Sequence, residues 1–216
     1  MYLFTPDTPL LLQAPATAIM VAITVLVSLR AFSDNSLMSR FIFNPDIIHR
    51  GGQWYRFFSH GLIHKDGLHL AMNMFVLWEF GKIVEQDFIL LFEDKGRVFY
   101  ILLYVLGLAM ASLFSYFKYK EDPYYLALGA SGAVSGIVFA FILIAPTQKM
   151  MLMFIPIPIP AFILGGLYLV YSQIMSRKNS DNVGHDAHFW GSVWGLVFTA
   201  LLKIELVPLF FQQILE

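Results

Sequence analysis

The sequence has no cysteine among its 216 residues, which excludes disulfides, thiolate metal sites and a cysteine nucleophile. Charge is scarce too. Asp, Glu, Lys and Arg make up 13%, about half of the ~25% that soluble domains carry. With 58% hydrophobic residues, this excludes an ordinary water-soluble globule and a disordered chain. Positive charge is not clustered: 14 Lys and Arg against 15 Asp and Glu leave a net charge of −1. No nucleic-acid partner is expected, because that binding needs grouped basic side chains. What remains is a membrane protein, with the lipid bilayer as its first partner. A span uses about 20 residues, so residues 1–216 are expected to form a single domain, one bundle with short loops.

Six apolar runs read as spans: 10–29, 68–84, 98–117, 129–145, 160–175 and 186–205. The first has no charge inside it and no cationic segment before it, and it exceeds a signal-peptide core in length, so it reads as retained. Residues 30–67 form a long connection in which Arg40, Arg50 and Arg56 alternate with Phe41, Phe43, Trp54, Tyr55, Phe57 and Phe58. Rings and guanidinium groups at that density suit the headgroup layer, so this loop is expected to lie in the membrane interface. Before the fifth span, Ile155-Pro156-Ile157-Pro158-Ile159-Pro160 cannot sit inside a helix. It reads as an extended lead-in, with Pro160 near the first helical turn. The fold class is therefore an all-α membrane protein with six transmembrane helices.

With six spans, the second, fourth and sixth run in the same direction and begin at one membrane face. Those beginnings hold His60, His64, His69 and Asn73, then Ser131, then His185 and His188. Such groups are costly in lipid unless they meet one another or a wet cavity, so they are expected to share one site. The fourth span opens Gly129-Ala130-Ser131-Gly132-Ala133-Val134-Ser135-Gly136. Gly132 and Gly136, like Gly191 and Gly195 in the sixth, have a spacing that lets helix backbones approach closely. Plain packing explains either pair alone. Close packing would also bring the Ser131 hydroxyl to the His188 imidazole, and a serine oxygen becomes a useful nucleophile when a base takes its proton.

His69 and Asn73 share one helix face and suit either interhelical hydrogen bonding or the donors that hold a carbonyl oxyanion. His60 and His64 have the spacing of two zinc ligands on a helix. The Glu that would follow the first is absent, Gly61 standing there, so no metal and no cofactor are expected. Asp186 lies two residues before His188, and such positions face apart on a helix. It reads as a helix-start charge rather than a triad acid.

The segment Tyr55-Arg56-Phe57-Phe58-Ser59-His60-Gly61-Leu62-Ile63-His64, continuing through His69, Asn73, Gly81 and Glu85, resembles the rhomboid family of intramembrane serine proteases. Gly129-Ala130-Ser131-Gly132 and the later Ala187-His188 with Gly191 and Gly195 carry the same resemblance, in the same order. The resemblance implies a six-helix rhomboid-like bundle with a membrane-lying first loop, which cleaves other transmembrane proteins. It implies Ser131 as nucleophile and His188 as base, with His69, Asn73 and the Ser131 amide as the oxyanion hole. Gly129 would shape the local backbone and Arg56 would anchor the first loop. In many family members an aromatic residue four positions after the nucleophile stacks on the histidine. Here that position is Ser135, itself a rival nucleophile, which leaves Tyr124, Tyr125, Phe139 and Trp190 as alternative rings to orient His188.

On this reading a substrate helix unwinds beside the fifth span, with Gly165, Gly166 and the polar loop 177–185 as gate and lid. The competing reading is a non-catalytic rhomboid-like protein that binds membrane clients without cutting them. Nine of the 14 basic residues fall on the face where the even spans begin, and positive-inside counting alone would turn that face to the cytoplasm. The resemblance implies the opposite, an active site facing outside from a bacterial inner membrane, with the loop arginines acting as anchors.

Overall fold

The computed structural model describes residues 13–152, 155–178 and 184–216. The start of the first apolar run and residues 179–183 of the lid loop lie outside them. The described chain is mostly helical: α1 Pro15–Ala31, α2 Asn35–Phe41, α3 Pro45–Gly51, α4 Arg56–Ser59, α5 Gly67–Phe92, α6 Gly96–Tyr119, α7 Ser131–Ile144, α8 Ala161–Lys178, α9 His185–Leu202 and α10 Leu206–Leu215.

Two elements correct the sequence reading. The proline run is extended, but it pairs with Lys149–Leu152 (β1) as the second strand, Ile155–Pro160 (β2), of an antiparallel hairpin. The fold is therefore not purely helical; Pro160 ends the strand and lies directly before the first turn of α8, as expected. The hairpin fits its composition, since alternate proline leaves alternate N–H groups able to pair at an edge. The last helix also stops earlier than 205. It ends at Leu202, and α10 leaves it at 111°.

By length and apolarity, one helical stretch, Gly67–Tyr119, is long enough to cross a membrane among the described residues. The bent pair α9 and α10 passes the same test, while α1 and α7 are shorter apolar helices. The long stretch turns back at a short 3-10 segment, Glu93–Lys95, where Glu93 takes a positive φ of 52°. It is therefore two helices side by side. Large apolar side chains point outward around the bundle, among them Leu26, Leu102, Phe117, Leu167 and Leu201. An apolar surface this extensive is foreign to a water-soluble monomer and suits lipid.

Inside, Leu77, Val84, Phe88, Tyr100, Leu103 and Ile137 are fully buried. Glu85, a carboxylate, is also fully buried. Helix α1 begins at Pro15 with Ala14 before it and no side-chain cap of its own. Glu85 of α5 supplies one: it accepts from the amides of Ala16 at 3.1 Å and Thr17 at 2.8 Å, and from the Thr17 hydroxyl at 2.9 Å. A carboxylate at a helix N-terminus satisfies stranded amides and complements the dipole, and Arg97 Nε completes the set at 3.0 Å. Since the Thr17 proton goes to Glu85, the Tyr100 hydroxyl at 2.7 Å must donate to Thr17. Gly81 makes room for this cluster, because a Cβ there would come within 2.6 Å of the Tyr100 oxygen.

The closest helix pair is α7 with α9. A Cβ on Gly191 would collide with the Gly132 carbonyl, and one on Gly195 with the Gly136 carbonyl. The two small-residue pairs thus face each other, backbone on backbone, as their spacing allows. We predict that Gly195→Val, by forcing these helices apart, destabilises the protein by about 1–3 kcal/mol or more. Thermal unfolding in detergent checks this, and an unchanged midpoint would contradict it.

Candidate active site

The first loop sets the platform for the site. Arg56 is buried, its guanidinium donating to the carbonyls of Ser39 at 2.9 Å and Ile42 at 2.6 Å and to Gln53 Oε1 at 2.8 Å. It ties α2 and the start of the next turn to α4, and Phe43, Ile48, Phe57 and Tyr116 form a small second core beneath. Phe43 then exchanges backbone bonds with Ala127 at 2.9 and 3.0 Å. The loop thereby grips the chain just ahead of Ser131.

The grip continues at the next residues. Gly129 donates to the His60 carbonyl at 2.9 Å. It has φ +108°, and a Cβ there would meet His69 Cε1 at 2.7 Å, so only glycine fits. The Ala130 amide donates to His64 Nε2 across a long 3.4 Å. Ser28 decides the tautomer of that ring: its hydroxyl proton goes to the Leu62 carbonyl at 2.9 Å, so it accepts from His64 Nδ1 at 3.0 Å. His64 is then a neutral imidazole whose Nε2 lone pair faces Ala130. The His60 Nε2 meets the Ser112 hydroxyl at 3.1 Å. Both loop histidines thus hold protein groups, and no cluster of three metal-ligating side chains occurs among the described residues.

Helix α7 starts at Ser131, and its N-cap residue, Ala130, has no side chain with which to cap it. The first-turn amides therefore point toward the site without intrahelical partners, along with the positive end of the helix dipole. The Ser131 Oγ lies 2.7 Å from His188 Nε2 on α9. That is a short, well-placed contact for proton transfer. Ser135, one turn deeper, is 3.0 Å from the Tyr168 hydroxyl of α8.

His69 sits against Gly129, and its ring meets His64 edge to face at 5.0 Å. Asn73 donates to the His69 carbonyl at 2.9 Å, which orients its amide nitrogen and leaves its second N–H to bond elsewhere. Asp186 bonds to Lys118 Nζ at 3.2 Å and to the Ser176 hydroxyl, so it clips α6, α8 and α9 together.

The ring that lies parallel to His188 is one the sequence reading missed, Tyr168, with centroids 6.3 Å apart and planes at 21°. Of the four rings suggested by the sequence, Tyr124 is 89% exposed, Tyr125 stacks on Tyr119, Trp190 stacks on Phe114, and Phe139 leans on Tyr168. No spacing in the sequence points to Tyr168, because its partners lie on two other helices.

Burial pulls His60 and His64 down to about 4 from the ordinary 6.5, and for His64 the neighbouring His69 and His60 add to the effect. Their neutral forms are what the fold holds. Stability from them is fully present above pH 6.5 and declines as pH falls toward 4, because the unfolded chain takes up those protons first. The unfolding midpoint should therefore drop across that window in the wild type and less steeply in His64→Gln. A wild-type midpoint that stays level across the window would contradict this.

The family model for the rhomboid domain matches residues 51–204. RHOMBOID-like protein 12, mitochondrial, of Arabidopsis thaliana is 28% identical over 189 residues, covering 83% of this chain and 55% of the relative. Rhomboid protein 1, mitochondrial, of Saccharomyces cerevisiae is 27% identical over 138 residues, covering 62% of this chain and 38% of the relative. The chain thus spans about half the length of these relatives, 55% and 38%. The rhomboid protease GlpG of Haemophilus influenzae is 24% identical over 201 residues, covering 90% of this chain and 96% of that protein. Mitochondrial and bacterial proteins both occur among these relatives, so they do not single out the bacterial inner membrane. The matched region runs from the first loop through α9 and contains the Gly129–Gly132 segment and the facing glycine pairs, and this chain belongs to the rhomboid family of integral membrane proteins.

Proposed function

We propose that this protein is an intramembrane serine endopeptidase that cleaves transmembrane segments of other membrane proteins, with Ser131 as nucleophile and His188 as general base. The observation that carries the proposal is the 2.7 Å contact between Ser131 Oγ and His188 Nε2. Protease-named relatives such as GlpG support it. In this reading the chain is one domain of six spans, α1 and α5 to α9, with the first loop in the interface and the dyad face turned outside.

The length of α7 supports a site below the membrane surface. Its 14 residues rise about 21 Å, whereas a hydrocarbon core is about 30 Å thick. A helix that ends at the far face therefore begins, at Ser131, several ångströms beneath the near one. Water must reach it through the polar gathering of His64, His69, His185 and His188. In such a setting fixed donors are worth more than in bulk water.

The chemistry runs as acyl transfer. A substrate helix hides its carbonyls in hydrogen bonds, so it must first unwind, and it approaches beside α8. There Gly166 has open space around it and Leu167, Val170 and Ile174 face outward. His188 Nε2 takes the Ser131 proton as Oγ attacks the scissile carbonyl carbon. The resulting oxyanion is held by the Ser131 amide, the free N–H of Asn73 and His69. His188 returns the proton to the leaving amine, and water, deprotonated in turn by His188, releases the acyl group.

Cleavage of a transmembrane helix weakened by glycine or proline, in proteoliposomes, tests this reading. Ser131→Ala and His188→Ala should each lower the rate more than about 10³-fold, and Asn73→Ala on the order of 10²–10³-fold. Wild-type cleavage by Ser131→Ala would overturn the proposal.

A further inference from the structure

We infer that Tyr168 is the positioning residue for His188 and that it holds the imidazole from α8, a helix that carries neither member of the dyad. This rests on the reading of Ser131 and His188 as nucleophile and base.

The imidazole needs such a support. Rotation about its last side-chain bond is soft, and a small turn would carry Nε2 away from Ser131. Tyr168 lies nearly parallel to the ring, with centroids 6.3 Å apart and planes at 21°. His185 also touches it, edge to face at 6.0 Å. That residue is on the same helix, one turn earlier, so it moves with His188 and cannot set the ring relative to Ser131. Tyr168 can, because it is itself held to α7. Its hydroxyl meets Ser135 Oγ at 3.0 Å and its ring packs on Phe139 at 6.0 Å.

Ser135 is one helical turn beyond Ser131 on the same helix. Two links therefore run from α7 to the imidazole: the direct one through Ser131, and a second through Ser135 and Tyr168. Together they fix both the distance and the plane of the ring. The position four residues after Ser131 thus retains a role in orienting the base. It does so as a hydroxyl that fastens an aromatic ring from the neighbouring helix, in place of supplying that ring itself.

The seating of α8 also becomes part of the catalytic geometry. Gly165 lets α8 lie against α7, where a Cβ would come within 2.8 Å of Ile142. Any displacement of α8 carries Tyr168 with it and releases the imidazole. A substrate that approaches beside α8 thereby acts on the alignment of the base.

Steady-state cleavage by Tyr168→Leu, Tyr168→Phe and Ser135→Ala, with Ser131→Ala as the control and unfolding midpoints measured in parallel, tests the inference. Tyr168→Leu should lower kcat about tenfold, with KM within about twofold, the scale of losing one aromatic contact. Tyr168→Phe and Ser135→Ala keep the ring but remove its fastening to α7, so each should lower kcat by about threefold, a smaller loss than that of Tyr168→Leu. The inference is overturned if Tyr168→Leu turns over at the wild-type rate, or if Leu and Phe lose kcat equally and in step with the unfolding midpoint. Retained cleavage by Ser131→Ala would instead refute the dyad itself, whatever the Tyr168 variants do.

Discussion

The rest of the site depends on the approach of two helix backbones with no side chain between them. Gly132 and Gly136 on α7 face Gly191 and Gly195 on α9 so closely that a single Cβ at Gly191 or Gly195 would strike a carbonyl. In lipid there is little hydrophobic gain in bringing helices together, so van der Waals contact and polar bonds must supply the attraction. The same contact sets the chemistry. Ser131 is one residue before Gly132 and His188 is three before Gly191, so the helix pair cannot close without presenting a hydroxyl to an imidazole.

Around that contact, the polar residues of an otherwise apolar chain are held fast. Glu85 fastens α1 to α5 and α6 through five groups, counting Arg97 and, by way of Thr17, Tyr100. Arg56 fastens the first loop, and His60 and His64 carry that loop to Gly129 and Ala130. In a medium of low dielectric an unpaired polar group is expensive, so these bonds are strong constraints. With Ser131 as the proposed nucleophile, a helix N-terminus held this rigidly needs little reorganisation during reaction, which is where electrostatic catalysis gains most.

Much of this was legible in the sequence, for identifiable reasons. Glycines four apart in two apolar runs signal close helix packing, and Ser131 and His188 stand out because polar residues are so few. Gly129 was legible as a backbone-shaping residue, and it has a positive φ. What was not legible depends on tertiary partners. Tyr168 belongs to the site only because α8 lies across Ser135 and His188. The hairpin at 149–160 is a pairing that a proline run does not announce, and the turn between α9 and α10 falls among residues of ordinary helical composition. Residues such as Ser28 and Ser112 gain their meaning from histidines far away in the chain.

In the proposed mechanism, the glycine contact between α7 and α9 is what makes Ser131 a nucleophile. The most direct measurement is the rate at which a fluorophosphonate modifies the protein, with the modified residue located by mass spectrometry, in wild type and in Gly191→Ala. Modification at Ser131 is expected in the wild type, with a rate at least about tenfold lower in Gly191→Ala, because the added methyl group must push the helices apart and lengthen the bond to His188. Equal rates in the two proteins, or modification at Ser135, would contradict it.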